Sequence, residues 1–239
     1  MLWHCWLFAR KCLGFIFNSH LTFSYQIPSL FKSCYYHIRE LHCIRPYLDL
    51  KTDSTVATSI VHSKLDYCNI MYYNLPKSQT NRLQVIQNSL ALAVVKTPKF
   101  CRVTPILKSL HWLKINECIE YKLLSLTYKA LTTAQPTYLH SLISVQPLHR
   151  ATRSSSVVTL SRPPTSSSLG ITNRSFRYAS PHLWNQLPVS LRQPCIKHPA
   201  DDVTLSNSPP TCSPLSPFIT HSLFHFKLKT HLFHKSFPP

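Results

Sequence analysis

Glycine is nearly absent from this chain. Only Gly14 and Gly170 occur in 239 residues, whereas average usage of about 7 percent predicts roughly 17. Loops that cradle phosphate in nucleotide-binding enzymes need several glycines, because the backbone must come very close to the ligand there. The sequence therefore argues against dinucleotide-binding and P-loop enzymes.

Acidic residues are also scarce. Eight Asp and Glu stand against 26 Lys and Arg, which gives a formal net charge of +18. No acid occurs between Glu120 and Asp201, although nine Lys and Arg do. So few carboxylates leave little for metal-dependent catalysis, and we expect neither enzymatic activity nor a cofactor. One-sided positive charge favours polyanions, either nucleic acid or an anionic membrane surface. Alternatively, the charge serves no selected function.

Long apolar runs are missing as well. The longest uncharged piece at the start, residues 1–9, is shorter than the roughly 20 residues that cross a bilayer. Its flanking bases, Arg10 and Lys11, follow the apolar run, whereas a signal peptide has them before it. The sequence therefore predicts no transmembrane segment.

The cysteines do not form a recognisable framework. Nine cysteines are spread along the chain and no CxxC occurs, which indicates reduced thiols and an intracellular location, cytoplasmic and/or nuclear. The nearest approach to a metal site is a group of four residues in one predicted helix: Cys34, His37, His42 and Cys43. Adjacent His42 and Cys43 point apart on a helix, so we expect ordinary helix positions and no metal site.

Helical periodicity dominates the middle of the chain. Apolar residues recur at intervals of three and four, and the predicted helices begin near Phe31, Thr52, Ser78, Thr104, Asn116 and Pro136. In the predicted helix that begins near Ser78, the apolar residues lie on one face and leave Gln84 and Gln87 facing outward. Since the stripes must bury against each other, we expect a mainly α fold. One or two short strands precede it in residues 15–27, where aromatic residues partly alternate.

The character of the chain changes at Pro147. Arg, Ser and Thr are followed by aromatic residues and prolines with expected turns, so the C-terminal third is predicted to be largely irregular and partly disordered. The predicted organisation is an apolar start (1–30), a compact helical unit (31–146), a basic and aromatic extension (147–193), a Pro/Ser linker (194–220) and a basic amphipathic helix (221–239). The apolar residues of that last helix are Leu223, Phe224, Leu228 and Leu232.

Several motifs, in order, resemble one family. They are LDYCN (65–69), LP with LQ-x2-QN (75–88), LHWL (110–113) and LWNQLP (183–188), accompanied by CLGFIFNSHLTF (12–23) and SLFHFKLKTHLF (222–233). Together they resemble the C-terminal third of LINE-type, non-LTR retrotransposon reverse transcriptase polyproteins of the jockey and chicken-repeat kind. The similarity covers roughly residues 13–239.

The resemblance implies a catalytically inactive piece. Reverse transcriptases hold two metal ions with three aspartates, two of them in a Tyr/Phe-x-Asp-Asp loop. The only Asp-Asp here, Asp201-Asp202, follows Pro199-Ala200, and Asn18 stands where the family usually has an acid. The fingers, most of the palm and the endonuclease have no counterpart. What the resemblance leaves is the end of the palm at 1–30, a thumb-like helical unit at 31–146 and an extension that contacts template–primer and element RNA in the family.

The residues themselves are compatible with such contacts. Basic side chains release counterions from phosphates, and aromatic rings stack on unpaired bases, worth about 1–3 kcal/mol per base. The candidate contacts are Arg150, Arg153, Arg162, Arg174, Arg177, Tyr178 and Trp184. Two other interpretations stay open: Trp184 belongs to a small core, and the arginines before residue 163 lie in a solvated stretch.

Three functional hypotheses follow. The first is an inactive reverse-transcriptase-derived fragment with at most weak, nonspecific binding of RNA or DNA and no small-molecule substrate. The second is a host-used interaction protein that docks its basic amphipathic tail on a partner or an anionic membrane. The third is a relic with no selected function.

Overall fold

The computed structural model describes residues 9–12, 15–18, 23–98, 100–146, 157–164, 172–193 and 219–238. These residues form a mainly α-helical protein, which confirms the predicted fold class. No helix in the described ranges is both long enough and apolar enough for a bilayer crossing. The predicted linker (194–220) lies almost entirely outside the described residues, as do residues 1–8, 13–14 and 19–22 of the predicted apolar start (1–30).

The secondary structure begins with two short antiparallel strands, β1 (Ala9–Cys12) and β2 (Phe15–Asn18). Nine α-helices lie in the described residues: α1 (Gln26–Ile44), α2 (Leu50–Ala57), α3 (Ser63–Asp66), α4 (Lys77–Val95), α5 (Val103–Ser109), α6 (Ile115–Thr133), α7 (Thr137–His140), α8 (Phe176–Gln186) and α9 (His221–Ser236). Shorter helical turns are a π turn at Thr58–His62 and 3-10 turns at Arg45–Tyr47, Asn69–Tyr72, Thr172–Arg174 and Val189–Leu191.

The chain divides into two compact units. Unit 1 contains Met1–Ile119 and Phe233–Pro239, and unit 2 contains Glu120–Leu232. The sequence placed all of 31–146 in one helical unit, whereas this division falls inside α6. The reason lies in unit 2, where the ring of Tyr128 on α6 stacks on Phe224 of α9 at 4.0 Å. In the same unit, the Thr127 hydroxyl bonds to that of Ser180 on α8 at 2.7 Å.

Unit 1 is built around α1 and α4, which pack against each other. Cys34 and Ile38 of α1 are buried, as the helical spacing predicted, and so are Ile86 and Leu90 of α4. Ile27 is buried as well, but the sequence assigned it to the strands predicted in residues 15–27, and this end of that prediction is wrong because α1 begins at Gln26. Since each buried aliphatic side chain contributes roughly 1.5–3 kcal/mol, these two stripes supply much of the stability of unit 1.

The single helix predicted from Thr52 to about Tyr73 is wrong. The structure divides that stretch into α2, a π turn, α3 and a 3-10 turn. The break after α3 occurs at Cys68, whose φ of 54° is left-handed and cannot continue a right-handed helix. The side chain of Asn69 then donates to Asp66 Oδ1 at 2.6 Å, which closes the turn.

The outward orientation predicted for Gln84 and Gln87 is wrong for Gln87, which is fully buried. Its amide donates to the carbonyl of Leu113 at 2.8 Å and accepts from the Gln84 amide at 2.8 Å. Gln84 in turn accepts from the backbone N–H of Ile115 at 3.0 Å. An amide is buried at little cost when its donors and acceptor are paired, so these two side chains hold the start of α6.

The turns predicted in the aromatic and prolyl segment are wrong, because this segment contains α8. Pro181 lies inside the helix, where a proline removes a hydrogen bond and costs about 3 kcal/mol. Burial of Ala179, Leu183 and Trp184 on the same helix offsets that cost. The tertiary context therefore overrides the local preference.

The predicted C-terminal helix is confirmed as α9, but its apolar face is not free. Phe224 and Leu228 are 0% exposed and Leu232 is 1% exposed, whereas Leu223 is 42% exposed. The face is therefore part of the protein's own core. This removes the docking surface that the tail-mediated alternative requires.

Because glycine is scarce, other residue types occupy left-handed positions in the turns, and this lowers the stability of the fold. Both glycines lie outside the described residues, and other residue types take the left-handed positions with φ from 52° to 59°: Phe23, Cys68, Asn74, Lys96, His111 and Ala134. In this region Cβ crowds the backbone, at roughly 1–2 kcal/mol for each residue.

Ala134 gives a direct test, since it is exposed and directly follows the end of α6 at a φ of 52°. We expect Ala134→Gly to raise the free energy of unfolding by about 0.5–1 kcal/mol, because it removes the crowded Cβ. Ala130→Gly, inside α6, is the comparison and is expected to lower it by about 1 kcal/mol or more. Urea denaturation measures both, and a loss of stability in Ala134→Gly would contradict the argument.

Candidate nucleic-acid interface

A short extended segment, residues 157–164, presents one of the predicted arginines. Leu160 pairs with Val145 in an antiparallel bridge. The Gln146 N–H donates to Thr159 O at 2.8 Å and the Ser161 N–H to Ser144 O at 2.8 Å. Arg162 follows this pairing directly, so its backbone is held close to the turn after α7.

Helix α8 fixes the same segment from another side. The side chain of Asn185 accepts from the Leu160 N–H at 3.0 Å and donates to Leu160 O at 2.8 Å. The indole N–H of Trp184 donates to Val158 O at 2.9 Å. An edge strand leaves its peptide groups unpaired, and these two side chains satisfy three of them.

The segment and α8 together form an open groove of about 340 Å³. The lining residues are Ser141, Leu142, Ser144, Ser161, Arg162, Pro163, Pro164 and Arg177. Two exposed guanidinium groups and three hydroxyls are therefore the polar side chains of the lining, and none of the lining residues carries a carboxylate. Guanidinium forks suit the geometry of phosphate oxygens, so the groove is suited to an anion.

The other residues predicted to contact nucleic acid lie in different environments. Tyr178 is half-buried and its hydroxyl donates to Pro164 O at 3.5 Å, which places it near the groove. Arg174 is also half-buried, and burial lowers its pKa from the ordinary value. Arg150 and Arg153 lie outside the described residues.

The stacking role predicted for Trp184 is wrong. Its side chain is 0% exposed, and its ring lies 6.0 Å from that of Phe224 in the core of unit 2. A base cannot reach an indole in this position. The small core that the sequence left open as the other interpretation is what the structure contains.

Sequence reasoning missed the parts of the site that are not charged. Nothing in the composition marks Ser141, Ser144 or Ser161 as lining a groove, since serine is common throughout this part of the chain. Asn185 was inside a recognised motif, but no spacing rule assigns its amide to the backbone of Leu160. That partner lies 25 residues away in sequence.

The four Cys and His residues of α1 do not converge. Cys34 is fully buried and Cys43 is exposed, so they lie on different sides of the helix. Burial raises the pKa of the Cys34 thiol to about 11, which keeps it protonated and a poor ligand. Within the described ranges, no three His, Cys, Asp or Glu side chains come together.

No family model, curated protein or solved structure matches this chain. The groove is therefore interpreted from its own geometry.

Proposed function

We propose that the chain is a catalytically inactive piece derived from a non-LTR retrotransposon reverse transcriptase, and that it binds RNA or DNA weakly and without sequence preference. The observation that carries this proposal is the groove in unit 2. Arg162 and Arg177, two arginines predicted from sequence as nucleic-acid contacts, line it together with three serine hydroxyls.

The chemistry of the groove favours a phosphate backbone. Arginine and serine are among the side chains that contact phosphate oxygens, and such contacts position a nucleic acid without reading its bases. Sequence readout requires side chains held in a fixed orientation toward base edges, and arginine itself can read guanine in this way. Arg162 and Arg177 are exposed side chains in an open groove, so we expect them to contact the backbone and binding to tolerate any sequence.

The retrotransposon part of the proposal rests on the resemblance of the sequence motifs, several of whose residues make hydrogen bonds within the fold. Asn69 of LDYCN closes a turn, Gln87 of LQ-x2-QN bonds to Leu113 of LHWL, and Asn185 of LWNQLP holds an extended segment. Each of these residues therefore stabilises a local part of its own unit. The missing Asp-Asp loop supports the inactivity.

The proposal predicts a specific loss in a double variant. Arg162→Ala with Arg177→Ala is expected to weaken binding to single-stranded RNA. It should also lower the salt slope by about 1.4, because each lost phosphate contact contributes about 0.7 for single strands. Fluorescence anisotropy with a labelled RNA, repeated at several salt concentrations, measures both quantities.

A matched variant controls for net charge. Arg39→Ala with Arg102→Ala also removes two exposed positive charges, one on α1 and one just before α5, neither of which lines the groove. We expect this variant to keep most of the affinity and of the salt slope. Equal losses in the two variants would show that total charge, and not the groove, governs binding.

A further inference from the structure

Two histidines face each other on α9, in unit 2. His221 and His225 are four residues apart, which places them on one face of the helix. Their Nε2 atoms are 3.1 Å apart and their ring centroids 4.3 Å apart. His221 is exposed and His225 is half-buried, so the pair remains open to solvent.

Helix α6 orients the inner histidine. The Tyr121 hydroxyl lies 3.0 Å from His225 Nδ1, and the Ser125 hydroxyl lies 3.5 Å from the same atom. When Nδ1–H donates to a hydroxyl oxygen, the lone pair of the ring is left on Nε2, which faces His221. Histidines that bind metals are commonly oriented in this way by a hydrogen bond to the other ring nitrogen.

The two Nε2 atoms share a hydrogen bond in the metal-free chain, and their separation of 3.1 Å also suits a shared metal ion. Metal–nitrogen bonds of roughly 2.1 Å that meet at about 95° place the two nitrogens about 3.1 Å apart. Angles near 90° are typical of the square-planar and octahedral geometries of Cu²⁺ and Ni²⁺.

We propose that His221 and His225 form a site for a divalent transition-metal ion that prefers imidazole nitrogen, such as Ni²⁺ or Cu²⁺, with water in its remaining positions. Paired histidines at this spacing on a helix bind zinc in metalloproteases, so the backbone arrangement is suitable for metal coordination. The site does not depend on the proposed nucleic-acid binding, because neither histidine lines the arginine groove.

Titration of the full chain with Ni²⁺, followed by isothermal calorimetry, tests the site. His221→Gln removes one ligand from an exposed position, so we expect the fold to be retained. We expect the wild-type chain to bind Ni²⁺ at one site that is lost, or weakened at least about tenfold, in this variant.

His182→Gln is the matched control. His182 is exposed on α8, and its Nε2 lies 3.3 Å from the side-chain amide of Gln186. Its neighbour four residues on is therefore an amide and not a second imidazole that could share a metal ion. This variant should bind Ni²⁺ as the wild type does. The proposal is overturned if His221→Gln binds Ni²⁺ with unchanged stoichiometry and affinity, or if His182→Gln loses as much.

Tyr121→Phe tests the positioning role of the hydroxyl. It keeps both ligands and removes the hydrogen bond to His225 Nδ1. We expect the Ni²⁺ affinity to fall by about tenfold while the stoichiometry stays the same.

Discussion

Replacing Leu228 by alanine is expected to lower the free energy of unfolding by about 2–5 kcal/mol, which is the usual cost of truncating a fully buried leucine. Leu228 lies in α9 and is 0% exposed, so its removal leaves a cavity that the neighbouring side chains fill only in part. Thermal or urea denaturation measures the loss.

Leu223→Ala is the matched control because it makes the same chemical change in the same helix. Leu223 is 42% exposed, so we expect less than about 1 kcal/mol. If the two variants were equally stable, α9 would not be part of the core, and its apolar face would again be available to a partner or a membrane. The comparison therefore distinguishes the fold described above from the tail-docking alternative.

The second large effect is expected at Asn185. Asn185→Ala removes both hydrogen bonds to the backbone of Leu160, and each buried peptide group left unpaired costs about 1–3 kcal/mol. We expect the free energy of unfolding to fall by about 2–4 kcal/mol. RNA affinity should fall as well, because the segment that contains Arg162 loses the two hydrogen bonds that hold it against α8.

Asn173→Ala provides the comparison, since Asn173 is an exposed asparagine close by in sequence. We expect its free energy of unfolding to stay within about 0.5 kcal/mol of the wild-type value. An Asn185→Ala variant as stable as Asn173→Ala would show that the amide does not hold the extended segment.

The sequence could predict which faces of the helices are buried. The spacing of apolar residues placed Ile38, Leu90 and Leu123 in the core, and all three are buried. The start of helix α9 was also predicted at its observed first residue, His221. These predictions succeed because a helix must bury its apolar face, whatever it packs against.

Polar and prolyl residues were harder to predict, because their positions depend on partners far away in sequence. Gln87 is buried because the carbonyl of Leu113 and the amide of Gln84 satisfy it. Pro181 lies in a helix because the rest of α8 is anchored by buried side chains. Neither partner can be identified from local spacing.

The candidate site was predicted in part for the same reason. Arg162 and Arg177 were predicted as nucleic-acid contacts from charge alone, because basic residues in a stretch without acids indicate binding to a polyanion. The groove between them depends on the bridge at Leu160 and on the α8 side chains. Trp184 looked like a stacking platform in sequence because its neighbours were arginine and tyrosine, yet its ring faces Phe224.

Binding of the wild-type chain to single-stranded RNA across a salt series tests the central claim most directly. Between about 50 and 200 mM salt, the logarithm of the affinity should fall linearly with the logarithm of the salt concentration. RNAs of equal length and unrelated sequence should bind equally well. Binding that ignores salt, a strong preference for one sequence, or no binding at low salt would contradict the account.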